Sequence, residues 1–232
     1  MRASSFCGVI LAAGASSRMG RDKALLPWPP ETPTWDRTSP SDPAERSSAR
    51  EEWFATSPPA GVTGTFLSAQ IKLLQPFSEM VLVVAGANAT ALSPVVYALG
   101  AYLVVNPAPE RGQFSSMRIG LQEVLSRGRD AAIVTLVDRP PALASTVRQV
   151  LDAFLASEPS DTWATVPEHA GRHGHPIIVG REMITAFLGA PATATARDVE
   201  HAAQPHIQYV PVDDPNTTVN INTPEDYAAL PR

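Results

Sequence analysis

The residues best suited to chemistry lie in a loop that directly follows the first apolar run. Residues 9–11 are aliphatic and predict a buried strand. The loop contains Gly14 and Gly20, where the backbone can turn sharply, and the cations Arg18 and Lys23. Backbone N–H groups in such a loop can cradle anionic oxygens, and the cations add the charge that a polyphosphate requires. The pattern predicts a phosphate-binding loop, although a glycine-rich turn with two solvated cations fits the same residues.

This loop differs from the two best-known nucleotide-binding signatures. A Walker A loop needs Gly-Lys-Ser/Thr, whereas this chain has Gly20-Arg21-Asp22. The Gly-x-Gly-x-x-Gly spacing of dinucleotide-binding loops does not occur either.

A carboxylate follows a second apolar run. Residues 131–137 predict a buried strand, and Asp138 comes directly after it. Because Mg²⁺ prefers one or two protein oxygens together with phosphates and water, Asp138 is a candidate metal ligand. An aspartate that caps the turn before Pro140 and Pro141 is the alternative.

Two asparagines near the end of the chain are further candidate ligands. Alternation places Asn220 and Asn222 on the same side of an extended segment, and amide oxygens suit a hard cation. We expect Asn222 to be the second metal contact, with Asn220 as the alternative. Thr223 and Pro224 also fit the N-cap and first position of a helix, and such a cap would fix the metal-binding turn.

The remaining elements place these residues at one edge of a sheet. Apolar runs predict strands at residues 9–11, 80–84, 102–105, 131–136 and 177–179, and apolar spacing predicts helices at residues 65–74, 115–125 and 143–155. Strands that alternate with helices predict an α/β fold of three α/β/α layers with a mainly parallel sheet. Ligands then bind beyond the carboxyl ends of the strands, where Gly14, Gly86, Asn106 and Asp138 fall.

Composition narrows the class of protein. A chain of 232 residues with 44% hydrophobic residues fits one α/β domain, and its net charge of −5 gives no electrostatic reason to expect a nucleic-acid partner. The single cysteine, Cys7, cannot form an internal disulfide, and no apolar run is long enough to span a membrane, so a cytoplasmic location is expected. Residues 29–62 are rich in Pro, Ser and charged residues and predict a surface insertion, partly disordered, that either is simply tolerated or covers the substrate. The oligomeric state is not predicted.

Several motifs together resemble the MobA/MocA-like nucleotidyltransferases, over nearly the whole chain except the insertion. In chain order they are Leu11-Ala12-Ala13-Gly14-x-Ser16-x-Arg18-Met19-Gly20-x-x-Lys23, Gly112-x-x-Ser115-Ser116-Met117-x-x-Gly120-Leu121, Asp138-Arg139-Pro140, Gly174-His175-Pro176 and Asn220-Ile221-Asn222-Thr223-Pro224-Glu225-Asp226. The resemblance implies a GT-A-like fold and transfer of a nucleotide to the molybdenum cofactor.

The resemblance also implies roles for individual residues. Asp138 resembles the metal-binding aspartate of the family's Asp-x-Pro motif, and Mg²⁺ is the implied cofactor. Many relatives carry Gln where this chain has Arg139, a cation that could pair with Asp138 or with a substrate phosphate. His175 is implied to face the acceptor, although a lone histidine more often serves structure. Leu-Ala-Ala-Gly resembles cytidylyltransferases, and the Ala13 methyl group takes space that a purine needs, so CTP is the expected donor.

The expected reaction is attack of an acceptor phosphate on the α-phosphorus of a nucleoside triphosphate, with molybdopterin or its molybdenum form as the acceptor. Lys23 and Arg18 hold the triphosphate, Ser115 and Ser116 contact phosphate or ribose unless they only cap a helix, and Gly86 shapes the base pocket. The full set of expected nucleotide-binding residues is Leu11, Ala12, Ala13, Gly14, Arg18, Lys23, Gly86, Asn106, Ser115 and Ser116. Transfer to a sugar phosphate or another small metabolite, or nucleotide binding without turnover, are the alternatives.

Overall fold

The computed structural model describes residues 5–14, 16, 19–30, 63–158 and 161–230. Within them the strands are β1 (Phe6–Leu11), β2 (Met80–Ala85), β3 (Tyr102–Val105), β4 (Ala131–Leu136), β5 (Ala164–His169), β6 (Arg172–His173), β7 (Ile177–Gly180) and β8 (Ile207–Pro211). The α-helices are α1 (Phe66–Leu74), α2 (Ala89–Ala98), α3 (Gln113–Ser126), α4 (Ala144–Ala156), α5 (Arg181–Gly189), α6 (Ala196–Ala202) and α7 (Pro224–Ala228).

The strands form one mixed, mostly parallel sheet. Strands β3, β2, β1 and β4 lie side by side and are parallel. Strand β7 lies antiparallel beside β4 and also pairs with β5, which in turn contacts β6 and β8. The predicted α/β class is confirmed, and all five predicted strands are present. Strand β7 is antiparallel because the short connection between β5 and β7 cannot make a parallel crossover, which needs a dozen or more residues.

Helices cover both faces of the sheet and complete the three predicted layers. Alternate side chains of β1 point to opposite faces, so that Ile10 packs in one apolar cluster and Val9 in the other. The first cluster contains apolar side chains of α1, α2 and α4, and the second contains those of α3, α5 and α6. No helix in the described ranges has the length and apolar character needed to cross a membrane.

The helix predictions hold where the capping and apolar signals are strong. Thr65 caps α1, because its Oγ1 accepts a hydrogen bond from the Ser68 N–H at 3.0 Å. The predicted helices near residues 115–125 and 143–155 correspond to α3 and α4. Helices α2, α5 and α6 and strands β5, β6 and β8 were not predicted. The predicted insertion falls, apart from its first two residues, outside the described residues.

A third, smaller apolar cluster joins the loop after β1 to the C-terminal helix. Its buried members are Met19, Leu26, Phe66, Ile221, Tyr227 and Leu230. The Tyr227 hydroxyl donates a hydrogen bond to the Pro27 carbonyl at 2.9 Å. This packing brings residues 19–30 against residues 221–230, although almost the whole chain separates them.

Candidate active site

Lys23 lies at the centre of the site. Its Nζ donates a hydrogen bond to Asn222 Oδ1 at 3.1 Å and lies 4.0 Å from Asp138 Oδ2. The structure therefore brings together three residues that sequence analysis had selected in three separate motifs. Arg18, the second cation of the predicted loop, lies outside the described residues.

The turn that carries Lys23 is held by short-range hydrogen bonds. The Lys23 N–H donates to Ser16 Oγ at 3.1 Å. Asp22 Oδ1 accepts from the Ala24 N–H at 3.0 Å and so caps the 3₁₀ turn Lys23–Leu25. These bonds set the direction in which the Lys23 side chain leaves the backbone.

A longer network connects this turn to the loop after β2. Asn88 Nδ2 donates to Asp22 Oδ2 at 2.6 Å and to the Ala12 carbonyl at 2.9 Å. Its Oδ1 accepts from the Gly86 N–H at 3.0 Å. Burial raises the pKa of the Asp22 carboxyl, while the hydrogen bonds from Asn88 and the Ala24 N–H oppose that rise. Asp22 and Asn88 were not predicted as site residues, although Asp22 immediately precedes Lys23.

The C-terminal segment passes along the same edge of the sheet. The Ile221 N–H donates to the Asp138 carbonyl at 2.8 Å, which places Asn222 next to Asp138. Thr223 caps α7 in a capping box with Asp226, as its sequence predicted. The Asn222 N–H also donates to Asp226 Oδ2 at 2.7 Å, and this bond is the main cause that lowers the pKa of Asp226. Asn220, the alternative ligand, is exposed.

A cavity of about 370 Å³ opens beside Lys23 and Asp138. Its lining includes six predicted site residues: Leu11, Ala13, Gly14, Lys23, Ser116 and Asp138. Its other lining residues are Ser16, Pro109, Gly112, Gln113 and Val137. Ser16 and Gln113 are polar residues that sequence analysis did not select as ligand contacts. Both lie within the sequence motifs at residues 11–23 and 112–121, and that position is the signal that could have identified them.

Four further residues that were predicted to bind the nucleotide make hydrogen bonds or close contacts that support the walls of this cavity. The Ala12 N–H donates to the Val84 carbonyl at 2.8 Å, and its carbonyl accepts from Asn88. A Cβ at Gly86 would lie 2.9 Å from the Ala13 carbonyl oxygen, so glycine allows these two loops to approach each other.

Asn106 and Ser115 make up the other two supporting residues. Asn106 is buried, and its Nδ2 donates to the hydroxyls of Ser115 and Ser116, each at 2.9 Å. Its Oδ1 accepts from the Ala108 N–H at 2.9 Å. Asn106 thus holds the loop between β3 and α3 in shape. Both Asn106 and Ser115 line a second cavity of about 330 Å³.

His175 lies beside the end of β4, near Arg139. Its N–H donates to the Thr217 carbonyl at 2.9 Å, and Arg139 Nη1 donates to the same oxygen. A Cβ at Gly174 would lie 2.5 Å from that oxygen, so the Gly-His-Pro motif needs its glycine for this approach. Burial, with a smaller effect from the Arg139 charge, lowers the pKa of His175 to about 3, so the ring is neutral at pH 7.

The oxygen atoms at Asp138 and Asn222 suit a hard divalent cation. Asp138 Oδ1 is buried and has no hydrogen-bond partner among the described residues, whereas the side chain as a whole remains 32% exposed. A buried carboxylate oxygen without a partner is costly unless a ligand satisfies it. Within the described ranges, no group of three or more His, Cys, Asp or Glu side chains could hold a metal ion. A metal at this site would therefore take its remaining ligands from amide oxygens, water or substrate phosphates.

Comparison with known sequences gives one family match. The model of the MobA-like NTP transferase domain matches residues 8–40 and 58–207, well over half of the chain. A comparison with proteins of curated function gives no significant match.

Solved structures with the same fold cover nearly the whole chain. Rv0371c from Mycobacterium tuberculosis H37Rv is 22% identical, with a TM-score of 0.70 and coverage of 97% of both chains. A second structure of Rv0371c, a complex with manganese, is 20% identical over 97% of both chains, with a TM-score of 0.65. A nucleotidyl transferase from Methanothermobacter is 18% identical over 97% of this chain and 95% of its own, with a TM-score of 0.68. Molybdopterin-guanine dinucleotide biosynthesis protein A from Archaeoglobus fulgidus is 14% identical over 96% of this chain and 95% of its own, with a TM-score of 0.59.

Proposed function

Because this chain belongs to the MobA-like NTP transferase family, we propose that it transfers a nucleotide, CMP by preference, from a nucleoside triphosphate to a phosphorylated acceptor. The observation that carries this proposal is the meeting of Lys23 and Asp138, which both line one cavity, with Asn222, whose Oδ1 accepts a hydrogen bond from Lys23. A cation and two oxygen ligands at the carboxyl edge of a parallel sheet suit a metal-bound triphosphate.

The reaction places few demands on acid–base groups. An oxygen of the acceptor phosphate attacks the α-phosphorus, and pyrophosphate leaves. The attacking oxygen is already anionic at neutral pH, so the barrier falls mainly through positioning and neutralisation of charge. In this scheme Lys23 binds the triphosphate and the departing pyrophosphate, with Arg18 as a second cation. The main-chain groups of Ala13 and Gly14 are the proposed contacts for the base.

Asp138 and Asn222 are the residues proposed to hold Mg²⁺. The ion would neutralise phosphate charge and orient the reacting groups. The unpartnered Asp138 Oδ1 and the amide oxygen of Asn222 support this assignment. In this structure Lys23 Nζ contacts the same Asn222 oxygen, so Lys23 would turn towards the phosphates when the metal binds. The manganese complex of Rv0371c supports the use of a divalent metal on this fold.

The donor and the acceptor are proposed on separate grounds. Ala13 lines the cavity, and we propose that its methyl group leaves too little space for a purine, so that cytosine is preferred to guanine. Molybdopterin is proposed as the acceptor because the motifs resemble those of the family, and the fold shared with the Archaeoglobus molybdopterin-guanine dinucleotide protein supports it.

Thermal shift and pyrophosphate release test this proposal together. We expect CTP with Mg²⁺ to raise the melting temperature more than GTP does, because a ligand that binds only the folded state stabilises it. Pyrophosphate release should then require CTP, Mg²⁺ and molybdopterin together. A CTP-dependent shift without pyrophosphate release would instead indicate a nucleotide-binding protein without turnover.

The substitution Asp138→Asn tests the metal ligand. It removes the charge but keeps the size of the side chain, so we expect pyrophosphate release to fall by about 100-fold or more while the melting temperature changes little. Asp152→Asn, at an exposed position of α4, is the matched control and should retain full activity. Wild-type rates in Asp138→Asn would remove Asp138 from the mechanism.

A further inference from the structure

Two arginines meet at a single turn close to Asp138. Arg139 Nη1 donates to the Thr217 carbonyl, and Arg172 Nη2 donates to the Thr218 carbonyl at 3.4 Å. The two carbonyls belong to consecutive residues at the end of the 3₁₀ turn Pro215–Thr217. One short turn therefore holds both guanidinium groups in the same region.

Strand register places this region at the catalytic edge of the sheet. Val134 of β4 pairs with Ile177 of β7 in antiparallel register. Residues that precede Ile177 consequently lie beside residues that follow Val134, which puts His175 alongside the end of β4. Asp138 and Arg139 emerge from the same end, and β6, which carries Arg172, immediately precedes the Gly-His-Pro motif.

Among the residues that the structure describes, neither Arg139 nor Arg172 forms a salt bridge with a carboxylate. The charges of Arg139 and Arg172 repel each other, and the charge of Asp138 attracts Arg139. A single carboxylate, that of Asp138, therefore faces two cations that repel each other. Arg139 Nε is buried and has no hydrogen-bond partner within the described residues.

The neighbouring histidine adds no further charge. His175 is neutral at pH 7, and its buried Nδ1 also lacks a partner in the described part of the chain. Two cations beside one carboxylate make a setting that an additional anion would stabilise.

We propose that Arg139 and Arg172 bind the phosphate monoester of the acceptor substrate, an inference that deepens the proposed function and rests on it. A phosphate held here would lie next to Asp138, the proposed metal ligand of the triphosphate site. One oxygen of the acceptor phosphate forms a new bond to the α-phosphorus of the triphosphate. The bond between that phosphorus and the oxygen that bridges it to the β-phosphorus breaks. Pyrophosphate leaves with the electrons of that bond. Arginine suits this task because its planar fork matches two phosphate oxygens.

Binding of phenyl phosphate, a simple phosphate monoester, tests the subsite without any turnover. All variants carry Lys23→Gln, so that the predicted triphosphate loop contributes less to binding, and binding is measured by ³¹P NMR titration. We expect Arg172→Gln to weaken binding by about 10-fold or more, as the loss of a charge-assisted hydrogen bond predicts. Arg148→Gln, on α4 above the Phe77 ring, makes the same charge change away from the site and should have no effect.

The choice of variants separates the subsite from a purely structural role. Arg172 is exposed, so its substitution leaves the core intact, whereas Arg139→Gln also removes the bond to Thr217 and needs a melting curve beside it. Phenyl phosphate affinity that is unchanged in both variants would overturn the subsite. The subsite would also be overturned if the Lys23→Gln protein, with both arginines intact, failed to bind phenyl phosphate at millimolar concentrations.

Steady-state kinetics distinguish failure of the subsite from failure of the proposed function. In a protein that releases pyrophosphate, Arg172→Gln should raise the KM for the acceptor by about 10-fold or more and leave the KM for CTP unchanged. Active variants with an unchanged acceptor KM would reject the subsite and keep the nucleotidyltransferase. Phenyl phosphate binding that depends on the arginines, without any pyrophosphate release, would keep the subsite and reject the proposed reaction.

Discussion

At the scale of single residues, the site depends on side chains with several simultaneous partners. Asn88 bonds to Asp22, to the Ala12 carbonyl and to the Gly86 N–H, and so links two loops that must keep a fixed separation. Arg139 was expected to pair with Asp138 or with a substrate phosphate; its Nη1 donates a hydrogen bond to the Thr217 carbonyl, and its charge also interacts with that of Asp138. Such choices depend on which acceptors packing brings within reach.

His175 makes stability depend on pH. Its pKa is about 3 in the folded protein and about 6.5 in an unfolded chain. Above pH 7 the His175 ring is neutral in both the folded and the unfolded protein. As the pH falls from 6.5 towards 3, only the unfolded state takes up the proton, so this residue costs up to about 1.4 kcal/mol of unfolding free energy per pH unit.

We therefore expect His175→Gln to lose less stability than the wild type between pH 7.5 and pH 5. Urea unfolding at both pH values measures the difference. His201→Gln, at an exposed helix position, should keep the wild-type dependence. Equal losses in wild type and His175→Gln would contradict this account.

At the scale of elements, α3 couples the sheet to the cavity. Gly112, Gln113 and Ser116, at or just before the start of α3, line the cavity. Further along the helix, a Cβ at Gly120 would lie 2.8 Å from Val9 Cγ1 and 2.9 Å from Val84 Cγ2. The helix can rest this close to β1 and β2 because Gly120 has no side chain.

The substitution Gly120→Ala should push α3 away from the sheet. We expect a loss of about 1–3 kcal/mol in unfolding free energy, the usual cost of overpacking. Gly189→Ala is the matched control, because no atom lies within 4 Å of its added Cβ. Chemical denaturation of both proteins measures the contrast, and equal stability would show that the sheet accommodates the methyl group.

At the scale of the whole molecule, the two ends of the chain complete the site together. The cluster around Phe66 and Tyr227 packs residues 19–30 against residues 221–230. Lys23 and Asn222 meet as a result, although 199 positions separate them in sequence. Stability of this cluster and geometry of the site should therefore change together.

Tyr227→Phe tests this coupling. The Phe66 contact can remain, but the buried bond to the Pro27 carbonyl is lost. We expect a decrease of about 1 kcal/mol in unfolding free energy and a smaller thermal shift with CTP. Tyr97→Phe, at a side chain that is 64% exposed, should leave both quantities unchanged. A Tyr227→Phe protein indistinguishable from that control would separate the cluster from the site.

Local patterns in the chain were enough to predict much of this architecture. Aliphatic runs identified β1, β2, β3, β4 and β7, and the Thr223-Pro224 pair identified the start of α7. These signals work because strand burial and helix capping depend on residues a few positions apart. Strand β6 was missed because both of its residues are polar and exposed, and β8 was missed because Gln208 interrupts its short apolar sequence.

Contacts between distant segments became visible only in the folded chain. Sequence motifs selected Lys23, Asp138 and Asn222 separately, but the ion pair and the hydrogen bond between them arise from the packing of the third cluster and from the Ile221 bond to Asp138. The same holds for Asn106, whose amide is directed to two serine hydroxyls rather than into the main cavity. A hydrogen bond requires atoms within about 3 Å, and spacing along a chain carries no such distance for residues that many turns and strands separate.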